Sequence, residues 1–265
     1  MWGAVIGDIA GSTFEYEQIK GIKPVKITQT IHDNGFFSDD TILTIAILDA
    51  IENDKNYEKY LRIYGNRYAM YKPDFTPYFK TSFAPSFIKW LKNEREGNSI
   101  GNGAMMRISP VGYMFDSEEE VRKNSRLATI PSHNSEEAIK CSETIALIIY
   151  YARNGFNKNE IIDKLNIKLQ YKPFETFNST CSTTIDNCLF ALFTSNSFEE
   201  SINKVISYGG DTDTNACIVG SMAEAIFGID QKLIKKAKSK IPKEFINVLE
   251  KAYKAKERED DDWER

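Results

Sequence analysis

Histidine is nearly missing from this chain: His32 and His133 are the only two. The four cysteines, Cys141, Cys181, Cys188 and Cys217, form no C-x-x-C pair. These shortages exclude a zinc site built on three histidines or on four close thiolates. If the protein is an enzyme, oxygen ligands have to carry its chemistry. Long apolar runs are lacking as well. The longest, Ile145 to Ala152, is about eight residues, whereas a membrane-spanning helix needs roughly twenty. The start, Met-Trp-Gly-Ala-Val-Ile-Gly-Asp, has no basic leader, and Asp8 interrupts it too early for a signal peptide. A cytoplasmic protein with reduced, buried thiols is expected, without a membrane partner. Nor is there an excess of positive charge: 34 basic against 38 acidic side chains leave −4. Charge therefore does not argue for a nucleic-acid partner, although a nucleic-acid acceptor stays open.

What is present is ordinary globular stock, 42% hydrophobic and 27% charged over 265 residues. This excludes a disordered or fibrous chain and is enough to bury roughly 70% of the unfolded surface. Apolar residues at three- and four-residue spacing predict helices over Thr41 to Asn53, Asn134 to Ala152, Ser179 to Phe193 and Asp213 to Phe227. Glu118 to Thr129, Phe198 to Ser207 and Lys243 to Lys256 read as further helices. Val25 to Thr28 and Ile167 to Tyr171 are the only weak strand candidates. The fold class expected is all-α, a compact orthogonal helical bundle. It forms one domain over residues 1–257 with an acidic tail over 258–265. Pro, Gly and aromatic residues between Met70 and Ile108 suggest loops framing a site. No heptad seam is visible, so a monomer is expected.

Two acidic clusters stand out. Ser38-Asp39-Asp40-Thr41 opens one strong helix, and Gly209-Gly210-Asp211-Thr212-Asp213-Thr214 opens another about 170 residues later. Capping a helix needs one Asp or Ser, yet here four carboxylates and flanking hydroxyls sit at two starts. Brought together, they would repel strongly unless cations neutralise them. Hard divalent ions with oxygen ligands meet that need, and two ions about 3.5–4 Å apart can share a bridging Asp. Other carboxylate motifs fail on spacing. D-x-D-x-T/V meets Asn215 in its last position, D-D-x-x-D meets Leu43, and an H…HD…D set has no histidine upstream of His32. No G-x-x-x-x-G-K-[ST] or H-E-x-x-H occurs.

Five segments occur together in order: Gly7-Asp8-Ile9-Ala10-Gly11-Ser12-Thr13-Phe14-Glu15, Ser38 to Thr41, Gly101-Asn102-Gly103-Ala104-Met105-Met106-Arg107, Ser132-His133-Asn134, and Gly209 to Thr214. In this order the chain resembles the ADP-ribosylglycohydrolases, the group related to dinitrogenase reductase-activating glycohydrolase and the ADP-ribosyl-acceptor hydrolases. The resemblance implies an all-α fold, a centre of two Mg²⁺ (Mn²⁺ is the alternative) and hydrolysis of the N- or O-glycosidic bond between ADP-ribose and its acceptor. The implied substrate is an ADP-ribosylated protein or another ADP-ribosyl conjugate.

Carried onto this sequence, the resemblance implies metal ligation by Ser38, Asp39, Asp40, Asp211, Asp213 and Thr214, with Glu15 and Asp211 as catalytic residues. Glu15 would orient or deprotonate a water held below the anomeric carbon. Gly101, Asn102, Gly103, Ala104 and Met105, with Met106, match a loop that wraps the diphosphate and distal ribose, its N–H groups forming the expected cradle. His133 matches a histidine of the substrate cleft. Asp8 is left either capping a turn or supporting the site as an acceptor. Arg107 is left as an ion-pair partner or a ligand contact, and adenine stacking falls to an aromatic between Phe79 and Phe87 or near Tyr208. The segment Asn178 to Asn187 departs from the Gly- and Pro-bearing version in bacterial relatives, which touches the acceptor side of the cleft. Arginine, serine, nucleic-acid and O-acyl linkages are all compatible with this chemistry. A module that binds ADP-ribose without turnover, and a metal-dependent hydrolase of another nucleotide diphosphate, remain the rival readings.

Overall fold

The first helix, α1 (Trp2–Gly11), buries all ten of its residues, so it carries no polar face for a periodicity argument to find. Its glycines explain how it fits. Gly3, Gly7 and Gly11 recur every fourth residue, on one face of the helix. That face lies against a later helix so closely that a Cβ on Gly3, Gly7 or Gly11 would fall within 2.0, 2.0 and 2.1 Å of the carbonyl oxygens of Gly220, Ala216 and Thr212. The pairing runs in opposite chain directions, so the end of α1 meets the beginning of its partner.

The computed structural model describes residues 1–73 and 81–263. After α1 come α2 (Glu15–Lys20), α3 (Asp39–Glu52), α4 (Tyr57–Arg67), α5 (Pro85–Leu91), α6 (Gly103–Met106), α7 (Ser109–Met114) and α8 (Glu118–His133). The second half holds α9 (Glu136–Arg153), α10 (Lys158–Leu165), α11 (Cys181–Phe193), α12 (Phe198–Ser207), α13 (Thr212–Phe227), α14 (Gln231–Lys238) and α15 (Lys243–Trp263). The partner of α1 is α13; α12, α9 and α11 also pack on α13, α8 pairs with α9, and α3 lies on α4 and α1. The all-α bundle expected from the periodicity is thus observed, and α12 has the bounds read from the sequence. α8 runs on through Pro131 to His133. α15 continues to Trp263, past the boundary expected at 257, because the chain from Lys243 onward is rich in Glu, Lys and Ala and meets no Gly or Pro.

Neither strand candidate forms a strand. Among the described residues the only ladder contacts are isolated bridges, Asn98 with His133 and Gly101 with Thr180. Side chains take the backbone partners a sheet would use. The Asn187 amide accepts from Lys172 N at 2.9 Å and donates to Lys172 O at 2.8 Å. All four cysteines are free and buried. No helix among the described residues is long and apolar enough to cross a membrane.

Candidate active site

Because α1 and α13 run antiparallel, Asp8, near the C-terminal end of α1, lies level with the acidic start of α13. One oxygen of Asp8 fixes a third element. Its Oδ2 accepts from Ser38 N at 2.8 Å, Thr41 N at 3.1 Å and Thr41 Oγ1 at 2.5 Å, which ties the first turn of α3 to α1. Ser38 caps α3, its Oγ accepting from Asp40 N at 3.2 Å and donating to Asp40 Oδ2 at 3.0 Å. The turn before α13 is held by α2. Gly209 and Gly210 both take positive φ, 74° and 77°, a region glycine occupies without strain. Gln18 Oε1 accepts from Gly210 N at 3.3 Å and from Lys23 N at 3.0 Å.

The result is two overlapping carboxylate groups. Asp8, Asp40 and Asp213 each offer an oxygen within 4.8 Å of the others, and Glu15, Asp211 and Asp213 do the same. Asp213 belongs to both. The charges acting most strongly on Glu15, Asp40 and Asp213 are other carboxylates, and burial adds to them. Glu15 is held well above the usual carboxylate range by burial and then by Asp211, Asp39 and Asp8. Asp213 is raised by burial, Glu15, Asp211 and Asp40, and Asp40 by burial, Asp8, Asp39 and Asp211. Burial lifts Asp8 to about 6 against the pull of its hydrogen bonds from Thr41 and Ser38. Oδ1 of Asp8 and Oδ1 of Asp40 are buried without a hydrogen-bond partner. Unpaired buried acceptors of this kind are costly unless a counter-charge sits among them. An all-oxygen set with hydroxyls nearby suits a hard divalent cation.

Asp211 is the N-cap residue of α13 but makes no side-chain capping bond. Instead it accepts from Asn102 Nδ2 at 2.8 Å, a donor that also reaches Thr184 Oγ1 at 3.3 Å. Plain capping thus fails to account for this carboxylate. Thr214 Oγ1 lies 3.4 Å from Asp40 Oδ2. Asp39 lines the same cleft but belongs to neither three-carboxylate group; burial and the charges of Asp8 and Asp211 raise it too.

Above the carboxylates opens a cleft of about 340 Å³, lined among others by Glu15, Ser38, Gly101, Asn102, Gly103, His133 and Thr214. The segment expected as a backbone cradle holds the helical turn α6. Four of its amides are engaged within the protein, Gly101 N with Ser99 Oγ, Asn102 N with Ser179 O, Ala104 N with Gly101 O and Met105 N with Asn102 O, while Gly103 N makes no such bond. Ala104 and Met105 are fully buried, and neither lines the cleft. The turn meets the cleft through Gly101, Asn102, Gly103 and Met106, and the Asn102 side chain holds Asp211.

His133 is buried and held well below its ordinary value by burial, then by Arg107 and Arg95, so it is neutral. Arg107 Nη2 donates to Ser132 Oγ at 2.7 Å and to Ala128 O at 3.3 Å, and Ser132 Oγ lies 2.8 Å from His133 Nδ1. Ser132 Oγ and His133 Nδ1 thus share one hydrogen, and Nε2 lies beside Gly103. Arg107 has no carboxylate partner among the described residues; burial brings it down to about 9. It is a buried hydrogen-bond donor rather than half of an ion pair. Phe83, Phe87 and Trp90 form an aromatic wall of the cleft, with Phe83 and Phe87 stacked at 5.2 Å, and Phe36 and Phe177 line it too. Tyr208 pairs with Tyr171 at 4.5 Å and does not line the cleft. Phe79 lies outside the described residues. In the divergent segment, Ser179 lines the cleft, while Asn178 Oδ1 accepts locally from Thr180 N at 3.0 Å.

Comparison with known proteins follows the same lines. ADP-ribosylarginine hydrolase Tri1 of Pseudomonas putida (strain GB-1) is 20% identical to this chain, over 86% of it and 69% of its own length. ADP-ribosylhydrolase ARH3 of Homo sapiens is 20% identical over 86% of this chain and 84% of its own length. Among solved structures, an ADP-ribosylglycohydrolase-related protein complex shares the fold with a TM-score of 0.69 at 18% identity, covering 93% of this chain and 89% of that one. The family profile described as ADP-ribosylglycohydrolase matches residues 1–262, and the chain belongs to that family.

Proposed function

We propose that the protein is a divalent-cation-dependent hydrolase that releases ADP-ribose from an acceptor by cleaving at the anomeric carbon of the distal ribose. The observation that carries this reading is the pair of carboxylate groups sharing Asp213 at the floor of one cleft, with Glu15 among them. Asp8, Asp40 and Asp213 would hold one cation and Glu15, Asp211 and Asp213 a second, with Asp39, Ser38 and Thr214 in support. Mg²⁺ or Mn²⁺, when bound, supplies charge neutralisation and Lewis acidity toward a sugar diol and a water.

The chain's own residues do the rest. Glu15 takes the proton of the water that attacks the anomeric carbon; burial and its acidic neighbours hold it above the usual carboxylate range and so strengthen it as a base. Asn102 fixes the direction of Asp211. His133, neutral, places Nε2 beside the Gly101–Gly103 turn, and the wall of Phe83, Phe87 and Trp90 presents apolar surface for a base. A module that only binds ADP-ribose has no need of a glutamate packed against Asp211 and Asp213.

A panel of arginine-, serine- and O-acyl-linked ADP-ribose tests the reading. ADP-ribose release should depend on added Mg²⁺ or Mn²⁺, vanish with chelator, and fall about 10²–10⁴-fold in Glu15→Gln and strongly in Asp211→Asn. The arginine linkage comes first, because the Pseudomonas putida relative is named for it. Binding of ADP-ribose without release from any conjugate would replace the hydrolase with a binding module.

A further inference from the structure

The substrate class proposed above carries a diphosphate, while the floor of the cleft is acidic. Something must balance that negative charge; the Gly101–Met106 turn is uncharged, and the amides of Gly101, Asn102, Ala104 and Met105 are engaged within the protein, which leaves it that of Gly103. The cleft lining among the described residues includes two guanidinium groups, Arg95 and Arg107. Arg107 is only 1% exposed; its Nη2 is taken by Ser132 and Ala128, and its Nε and Nη1 are buried beneath the cleft surface without a partner. Arg95 is placed differently. It is exposed, it forms no ion pair or hydrogen bond with any described residue, and Glu96 beside it in the cleft wall does not neutralise it.

The backbone that presents Arg95 is nevertheless fixed. Asn134 N donates to Gly97 O at 2.6 Å, Ser99 N to Ser132 O at 3.2 Å, and Ser135 Oγ to Ser99 O at 3.2 Å, while Asn98 bridges to His133. The loop is thereby clamped across the end of α8. A series of contacts leads from Arg95 to the acidic floor: the Arg95 loop lies on His133, His133 on Gly101 and Gly103, and Asn102 between those glycines reaches Asp211. A ligand laid along it meets carboxylates at one end and a free guanidinium at the other.

We propose that Arg95 is the residue that reads the diphosphate of the substrate, binding it as a charge-assisted, forked hydrogen-bond donor and selecting phosphorylated ribosides over neutral ones. The inference rests on the hydrolase reading and adds a specificity residue to it. The guanidinium lies away from the reacting bond, so it acts in binding and not in the chemical step.

The test is steady-state hydrolysis of an ADP-ribosylated arginine peptide, and calorimetric titration with ADP-ribose and with adenosine, for wild type, Arg95→Ala and Arg95→Lys. Arg95→Ala should raise KM about ten- to a hundred-fold with kcat within about twofold, and Arg95→Lys should fall between. ADP-ribose affinity should drop in step while adenosine affinity stays unchanged, and the rise of KM with salt seen for wild type should flatten. An active wild type whose KM and ADP-ribose affinity are untouched by Arg95→Ala overturns the assignment of Arg95 alone. A wild type that releases ADP-ribose from no conjugate overturns the hydrolase reading, and Arg95's role in it falls with it.

Discussion

Gly7 and Ala216 meet with no room for a side chain between them: a Cβ on Gly7 would lie 2.0 Å from the Ala216 carbonyl oxygen. One residue further along α1 is Asp8, and one turn back along α13 are Asp211 and Asp213. The close approach of the two backbones therefore sets the separation of carboxylates from opposite ends of the sequence. Packing and chemistry are joined at this contact.

Gly7→Ala should accordingly damage both. The added methyl meets backbone, which cannot swing aside, so the helices must move apart. Overpacking of this kind costs about 1–3 kcal/mol or more, and thermal unfolding should show a drop of several degrees. Mg²⁺ affinity, measured by calorimetry on whatever folds, should fall as well. A Gly7→Ala protein with wild-type melting and wild-type cation binding would show that the contact is not the one setting the site.

Asn102 holds Asp211 from a turn more than one hundred positions away in sequence, at 2.8 Å. Groups that orient a ligand typically contribute 10–100-fold to metal affinity or activity. Asn102→Ala should therefore weaken Mg²⁺ binding by about that factor and leave melting of the chelated protein nearly unchanged. A large loss of stability with unaltered Mg²⁺ affinity would make Asn102 a packing residue only.

The acidic cluster also fixes the sign of a pH effect. The folded-state values of Asp40 and Asp213 are raised, as is that of Asp8, from 3.8 to about 6. The folded chain then holds more protons than the unfolded one. Their contribution to stability is fully present below about 4 and is lost as pH rises, for Asp8 mostly between about 4 and 6. His133, lowered by burial and by Arg107 and Arg95, works in the opposite direction up to its ordinary value of 6.5. The informative quantity is the difference between melting curves with Mg²⁺ and with chelator, in which His133 largely cancels. That difference should grow with pH, reaching about 2.7 kcal/mol when Mg²⁺ is at a hundred times its Kd. A difference that shrinks from pH 5 to pH 8 would contradict a cation bound by these carboxylates.

Much of this was legible before any coordinates. Ser38, Asp39 and Asp40 and the Asp211 to Thr214 group announced themselves because each exceeds what capping a helix requires, and a strong helical period follows each. α1 was not legible as a helix, because a helix buried on all sides has no polar face to give it a period. The signal available was the spacing of Gly3, Gly7 and Gly11 against Thr212, Ala216 and Gly220. Nor did the sequence reveal that the Asn102 amide is taken, since that depends on Ser179 arriving from elsewhere in the chain. Arg95 carries no motif at all, and only its place in the cleft wall marks it.

Asp8 shows how one carboxylate can serve both fold and site. Its Oδ2 accepts three hydrogen bonds from the start of α3, while its Oδ1 has no partner, and the carboxylate offers an oxygen within 4.8 Å of one on Asp40 and one on Asp213. The two oxygens can be separated by substitution. Asp8→Ala leaves the Ser38 and Thr41 donors without their acceptor, which costs about 1–3 kcal/mol with or without cation. Asp8→Asn keeps an acceptor for α3 and puts an amide NH₂ where Oδ1 stood, able to donate to the unpaired Oδ1 of Asp40. It also removes one of the charges that repel each other there. In chelator, Asp8→Asn should therefore melt at or above wild type at neutral pH. The gain in melting temperature on adding Mg²⁺ should shrink, and Mg²⁺ affinity should fall at least about tenfold, because a neutral amide is a poorer ligand for a hard cation. Stability rising without cation while cation binding falls is the signature of a carboxylate kept for its charge. If Asp8→Asn instead bound Mg²⁺ as wild type does, Asp8 would serve α3 alone, and the first cation position would have to be rebuilt on Asp39 and Asp40.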